Sequence, residues 1–289
     1  MRSVSDHLSP KAREAMIQTL ESEGYQVRKP RVSMPRADIL RELARPGEQV
    51  RLGVWSDVHT VSHEQQPTLW HDFVEHCQRK QVHALLDLGD TDDGPGQMHK
   101  GFQFQHFINA LPRRLDYTAS VYPRSWSDDV KIYRIDGNHD QAWGRESGIV
   151  YGELLSQRRP DITYLGYRVA NVTVGPVSIR LMHGVRGGLS YARSYKVQKI
   201  LEQMDPEERM GTDVLLIGHY HVADFMPGYQ GVDAALVPCF QAQTQYLVDL
   251  GLQPVVGGLI LDIEFGKHSR EIVPRFKIYR RPLVDDFPK

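Results

Sequence analysis

From Val50 onward the chain alternates short apolar runs with segments of helical period, and five of the runs give way to clusters of Asp, His, Asn and Gly. Short apolar runs bounded by turn residues read as strands, and apolar positions spaced at 3.6 residues read as helices. The strand candidates are Val50 to Trp55, Ala84 to Leu88, Lys131 to Ile135, Val177 to Met182, Val214 to Ile217, Leu236 to Phe240 and Leu259 to Phe265. Between them the spacing predicts helices over Thr68 to Arg79, Phe102 to Leu111, Ser147 to Arg158 and Ser190 to Gln203. Val169 to Val174 and Val177 to Met182 flank Gly175-Pro176, which reads as a hairpin and makes the sheet mixed. The pattern is that of an α/β chain, without an internal repeat.

The first residues differ. A helical pattern opens at Ser9-Pro10, runs through Glu23 and stops at Gly24; a basic stretch from Arg28 to Arg36 follows, and a second short helix is expected from Arg36 to Ala44. This divides the chain into a helical appendage, residues 1–48, and a main domain, residues 49–289. The appendage reads either as a helix-turn-helix whose Arg28, Lys29, Arg31 and Arg36 touch phosphates, or as a packing element whose charges are solvated. Glu14, Glu21, Glu23, Asp38 and Glu42 dilute its positive field and favour packing.

Composition mainly excludes. Hydrophobic content of 40% with charged content of 25% is that of an ordinary globule. A formal charge of -1 gives no global pull toward nucleic acid or an anionic membrane, so an anionic substrate must be attracted locally. No apolar run reaches the roughly 18 residues that span a bilayer, and no secretory signal opens the chain, so a cytoplasmic location without membrane partners is expected. Cys77 and Cys239, far apart and outside any CxxC, are expected to be buried thiols.

The chemistry lies in the polar clusters, because ligands of open α/β sheets bind beyond the carboxyl ends of strands. In order they are Ser56-Asp57-Val58-His59, Gly89-Asp90-Thr91-Asp92-Asp93, Gly137-Asn138-His139-Asp140, His183-Gly184 and Gly218-His219-Tyr220-His221. Residues two apart on an extended strand end point to one side, so Asp57 and His59 can converge on one ion; His219 and His221 have the same spacing. Oxygen donors mixed with imidazoles suit divalent manganese, iron or zinc. Without an ion, so many Asp and His at one sheet edge would suffer uncompensated repulsion and desolvation.

DxH, GDxxD, GNHD, HG and GHxH in this order resemble the calcineurin-like metallophosphoesterase superfamily, over roughly Val50 to Phe265. The resemblance implies a four-layer sandwich of two mixed β-sheets flanked by helices, with two divalent ions at the strand ends. Manganese is the expected metal, with iron, zinc, nickel or magnesium as alternatives. It further implies that Asp57, His59 and His221 hold the first ion, that Asn138, His183 and His219 hold the second, and that Asp90 bridges them. His139 would be the general acid, oriented by Asp93.

The superfamily includes nucleases, phosphodiesterases, protein phosphatases and small-molecule phosphatases. Asp140 at the end of the third motif is similar to the nuclease-like and nucleotide-acting members, and Gly94-Pro95-Gly96 stands where the protein phosphatases carry an Arg. SYKVQKI near Lys196 and VPCFQAQT near Gln241 are similar to phage and prophage metallophosphoesterases, which implies a nucleic-acid substrate. The expected activity is therefore a DNA nuclease or phosphodiesterase; a phosphomonoesterase for a small nucleotide or a phosphoprotein is the alternative. Arg186, His99, Lys100 and Tyr195 are candidate substrate contacts, Tyr195 equally being part of an amphipathic helix. A homodimer is left open.

Overall fold

The computed structural model describes residues 34–96, 101–184, 192–267 and 269–287, together with Gln18 and Ser22. The chain separates into two compact units, Met1–Met34 and Pro35–Lys289. Of the first, Gln18 and Ser22 are helical and exposed; the rest of the expected Ser9 to Glu23 helix and the stretch before Met34 lie outside the described residues.

The larger unit holds two six-stranded mixed sheets. One runs in the order β12 (Arg270–Ile278), β11 (Gly257–Phe265), β2 (Gln49–Trp55), β3 (Ala84–Asp87), β4 (Ile132–Asp136), β5 (Ile162–Tyr167). Within it β2, β3, β4 and β5 are parallel, and β11 is antiparallel to both β2 and β12. The other runs β1 (Arg36–Ile39), β6 (Val169–Val174), β7 (Val177–His183), β8 (Val214–Gly218), β10 (Val232–Leu236), β9 (Asp224–Tyr229). In this second sheet β7 and β8 are parallel, so the ligand-bearing ends of β2, β3, β4, β7 and β8 all open into loops that meet at one edge.

Strand alternation sorts the apolar side chains into three layers. Val50, Leu52, Val54 and Leu86 from one sheet meet Val172, Ile179, Leu181, Val214 and Leu216 from the other in the central core. On the outer face of the first sheet, Leu85, Ile132 and Ile260 pack under helices Pro67–Arg79, Leu111–Val121 and Tyr151–Arg158 through Trp70, Phe73, Leu115 and Leu155. On the outer face of the second, Leu215, Ile217 and Ala234 pack against Val197, Ile200 and Leu201 of helix Arg193–Gln203. Helix, sheet, sheet and helix are thus stacked, as the resemblance implies. Both cysteines are free and buried.

Several local expectations are corrected. The segment expected to be helical over 36–44 is strand β1, parallel to β6, then a 3-10 turn at Arg41–Leu43, and it lies within the unit Pro35–Lys289. The helix expected over 102–111 is only a 3-10 turn at Gln103–Gln105; the helix starts at Leu111, because Pro112 lacks the N–H that a helix interior needs and fits its first turn. The run expected over 236–240 ends its ladder at Leu236, two residues before Pro238, which has no N–H to donate. Ser147 closes a helix that begins at Asn138, and Gly148 at φ 73° terminates it before Tyr151–Arg158 starts.

Candidate metal centre

Trp55 is the last strand residue before the first ligand, and the chain does not stay extended as the two-residue spacing suggested. Asp57 (φ 54°), His59 (φ 51°), Asp90 (φ 52°), His219 (φ 86°) and His221 (φ 53°) all take left-handed backbone. Their convergence is therefore imposed by tight turns, conformations that non-glycine residues adopt at a cost and that cluster at functional sites. The turns are stitched together: Asp57 N–H donates to Gly89 O (2.9 Å), His59 N–H to Asp90 O (3.0 Å) and His219 N–H to Asp57 Oδ2 (2.7 Å). Gly89, at φ 92°, lies so close to Gly137 that a Cβ would fall 2.4 Å from its nitrogen, and a Cβ on Gly137 would fall 2.1 Å from Asp90 Oδ1. Only glycine at both places lets the second and third motifs touch.

The ligand atoms of Asp57, His59 and His221 lie within 4.8 Å of one another, and so do those of Asp90, His183 and His219. Asn138 joins the second set, its Oδ1 lying 3.2 Å from His183 Nε2, which is also 2.9 Å from Asp90 Oδ2. Asp90 forms a further set with His59 and His139, which puts it between the two groups. The seven residues named from the motifs are thus brought together, and apart from Asn138, His219 and His221 they are buried.

Whether the donors suit cations is decided by where their hydrogens point. His183 Nδ1–H donates to Leu88 O (2.8 Å) and His59 Nδ1–H to Asp93 Oδ1 (2.5 Å), which turns each Nε2 inward. The inward Nε2 atoms of His221, His59 and His183 lie 3.3, 3.8 and 4.0 Å from Asp57 Oδ1, a buried oxygen without a well-aligned hydrogen bond. A carboxylate oxygen and imidazole nitrogens aimed at one point, the far nitrogens of His59 and His183 held from outside, are what a divalent cation takes. The residues fit two such ions.

Electrostatics of the metal-free site agree. Burial opposes charge on His183, but the Asp90 carboxylate outweighs it and raises the group from 6.5 to about 9. Burial likewise opposes His221, yet Cys239 and Asp57 raise it to about 10, while His219, partly desolvated and beside charged His183, falls to about 3. Protons on His183 and His221 therefore stand where cations would. Because both values are raised, this contribution to stability is present below the ordinary value of 6.5 and is lost as pH rises through about 9 to 10. Cation uptake must expel those protons. Titrating the metal-free protein with Mn²⁺ near pH 7.5 in buffers of different ionisation enthalpy should show proton release, and affinity should rise with pH toward 9; calorimetry without a buffer-dependent heat would contradict this.

The other expected residues are placed as follows. His139 is one-fifth exposed; its Nδ1–H donates to the backbone carbonyl of Asp93 (2.8 Å), its own backbone N–H donates to Asp90 Oδ1 (2.8 Å), and its Nε2 lies 4.0 Å from Asp90 Oδ2. Asp93 thus reaches His139 through its main-chain carbonyl and, at 3.7 Å from Nδ1, through carboxylate Oδ1, while the same carboxylate holds His59 and His106. Tyr195 is half exposed, with Lys199 Nζ 5.8 Å above its ring, on the side of its helix away from buried Val197, Ile200 and Leu201. His99, Lys100 and Arg186 lie outside the described residues.

Supporting groups went unread in the sequence. Asp140 accepts the N–H groups of Asp90 (2.8 Å), Gly137 (3.0 Å) and Asp92 (3.1 Å), so one carboxylate ties the second motif to the third. Fully buried Arg134 sits behind it, 2.8 to 3.0 Å from Asp87, Asp136 and Asp140. Arg114 forks onto Asp92 at 2.9 and 3.0 Å. An arginine inside the apolar run Lys131 to Ile135 was the available signal, since a charge is buried there only with partners.

No family model and no curated protein matches the sequence. Solved structures similar to it include Vps29 of Entamoeba histolytica complexed with Zn²⁺, at 13% identity and a TM-score of 0.41 over 78% of this chain and 99% of that one. A dimetal phosphatase of Danio rerio matches at 12% identity and a TM-score of 0.43 over 80% of this chain and 97% of that one. Vacuolar protein sorting 29 of Cryptosporidium parvum matches at 12% identity and 0.37, over 80% and 99%. Among the described residues no helix is long and apolar enough to cross a membrane.

Proposed function

We propose that this chain is a two-metal phosphoesterase that hydrolyses phosphodiester bonds, with DNA as its substrate. The observation that carries the reading is the pair of donor sets, one around Asp57 and one around Asp90, linked through Asp57 Oδ1 and His183 Nε2 at 4.0 Å. Asp57, His59 and His221 would hold one cation, Asn138, His183 and His219 the other, and Asp90 lies where both can share it. Such a pair supplies hydroxide at neutral pH and neutralises charge on phosphoryl oxygens.

The remaining work falls to the chain. Asp140 and its backbone donors keep the Asp90 and Asn138 turns in register, so the ligands need no rearrangement on binding. His139, tethered at Nδ1 by the Asp93 carbonyl, presents Nε2 beside the centre and is exposed enough to meet a substrate, which suits proton delivery to a leaving alkoxide. His139→Ala should lower kcat roughly 100-fold while leaving the cation content unchanged, the usual contribution of a general acid. An unchanged kcat in single-turnover assays would remove His139 from that role.

DNA is favoured by the motif details already described, Asp140 and the missing Arg after the second motif, and by the similarity to phage enzymes. The deciding experiment is a panel in Mn²⁺: single-stranded, nicked and duplex DNA, cyclic dinucleotides, bis-p-nitrophenyl phosphate and p-nitrophenyl phosphate. Cleavage of DNA and of the synthetic diester over the monoester is expected. Release of inorganic phosphate from monoesters with the diesters intact would replace this reading with a phosphomonoesterase.

A further inference from the structure

Behind His59 the polar contacts continue away from the centre. Asp93 Oδ1 accepts from His59 Nδ1 at 2.5 Å, and Asp93 Oδ2 lies 2.8 Å from His106 Nε2. His106 is buried, and its Nδ1 faces Arg114 Nη1 at 3.4 Å. Arg114, fully buried, is fixed by its fork on Asp92 and by donation to Ile108 O at 3.1 Å. No sequence motif includes His106, which follows the 3-10 turn Gln103–Gln105 and forms an isolated antiparallel bridge with Ser62.

Donor chemistry gives this chain a direction. A guanidinium can only donate, so His106 Nδ1 facing it must be the acceptor, and the ring proton then resides on Nε2. His106 Nε2–H donates to Asp93 Oδ2, which leaves Oδ1 to take the proton of His59 Nδ1–H. With Nδ1 occupied, the lone pair of His59 lies on Nε2, the nitrogen turned toward Asp57 and His221. We propose that His106 is a positioning residue of the metal centre, acting through Asp93 to fix the ring orientation and tautomer of the ligand His59. The inference rests on the two-metal reading above.

The test uses the full chain, stripped of metal and titrated with Mn²⁺ by calorimetry. In His106→Leu one of two cations should bind about 10- to 100-fold more weakly, the usual effect of removing a group that orients a metal-bound histidine. His106→Gln should recover most of that loss, since its amide N–H can donate to Asp93 and its carbonyl can accept from Arg114. Equal affinities in wild type and His106→Leu would overturn the proposal. If neither variant folds, ¹⁵N NMR of the zinc-loaded wild type decides: a proton on Nε2 of His106 and on Nδ1 of His59 is expected, and the opposite tautomer of either ring overturns it. A wild type that binds no Mn²⁺ or Zn²⁺ would instead sink the metal reading itself.

Discussion

Asp90→Ala should bind no more than one cation and lose turnover on every substrate, by roughly a thousandfold or more. That size corresponds to several kcal/mol of charge stabilisation lost at about 1.4 kcal/mol per factor of ten. Asp90 is the carboxylate placed among both histidine groups: Oδ2 lies 2.9 Å from His183 Nε2, and its ligand atoms also fall within a donor set containing His59 and His139. Its Oδ1 additionally accepts the backbone N–H of His139, so the substitution loosens the candidate acid as well. Asp90→Asn separates the two effects, because the amide oxygen can keep that N–H while the charge is lost. Metal content by mass spectrometry and turnover of bis-p-nitrophenyl phosphate would be read together. Two bound cations with undiminished turnover in Asp90→Ala would contradict the site as built.

Arg134→Leu is expected to be the most destabilising single change among those considered. Arg134 Nη1 and Nη2 meet Asp87, Asp136 and Asp140 at 2.8 to 3.0 Å, with every one of these groups buried. Removing the cation strands three carboxylates without water, and breaking a buried pair typically costs about 3–5 kcal/mol. At about 2–4 °C per kcal/mol for a domain of this size, Tm should fall by on the order of 10 °C in scanning calorimetry. The loss should also reach the metal site, since Asp140 holds the N–H groups of Asp90, Asp92 and Gly137. Cation affinity should therefore fall although the substituted position touches none of the ligands. A Tm within a degree or two of wild type would show the network to be dispensable.

The ligands were legible because each is a polar residue placed directly after an apolar run, and the order of five such clusters restricts the reading. What joins them was less so. Asp57 and His59 were expected on an extended strand end, yet both sit in left-handed turns that spacing alone does not encode. The strands that went wholly unread, β1, β5, β9 and β12, are the four edges of the two sheets, while the interior strand β10 was met only at Leu236. The physical reason is visible in two of them: Pro227 and Gly228 in β9, and Pro274 amid Arg and Lys in β12, break the apolar pattern. Edge strands carry such residues because one side makes no ladder bond and must not recruit another chain. Arg134, Arg114 and His106 escaped because their roles depend on partners 2 to 47 residues away, which only the folded chain reveals.

The left-handed turns also set selection for heat resistance against selection for chemistry. At Asp57, His59, Asp90, His219 and His221 the residue best suited to the backbone would be glycine, and each present side chain carries a conformational penalty of about 1–2 kcal/mol. A mutant library screened only for thermal tolerance, with cations withheld, should therefore drift first at His219, whose ring stays neutral, and later at the other four, whose side chains keep buried partners. The same library grown under a demand for phosphoester cleavage should hold all five fixed and gain its tolerance elsewhere.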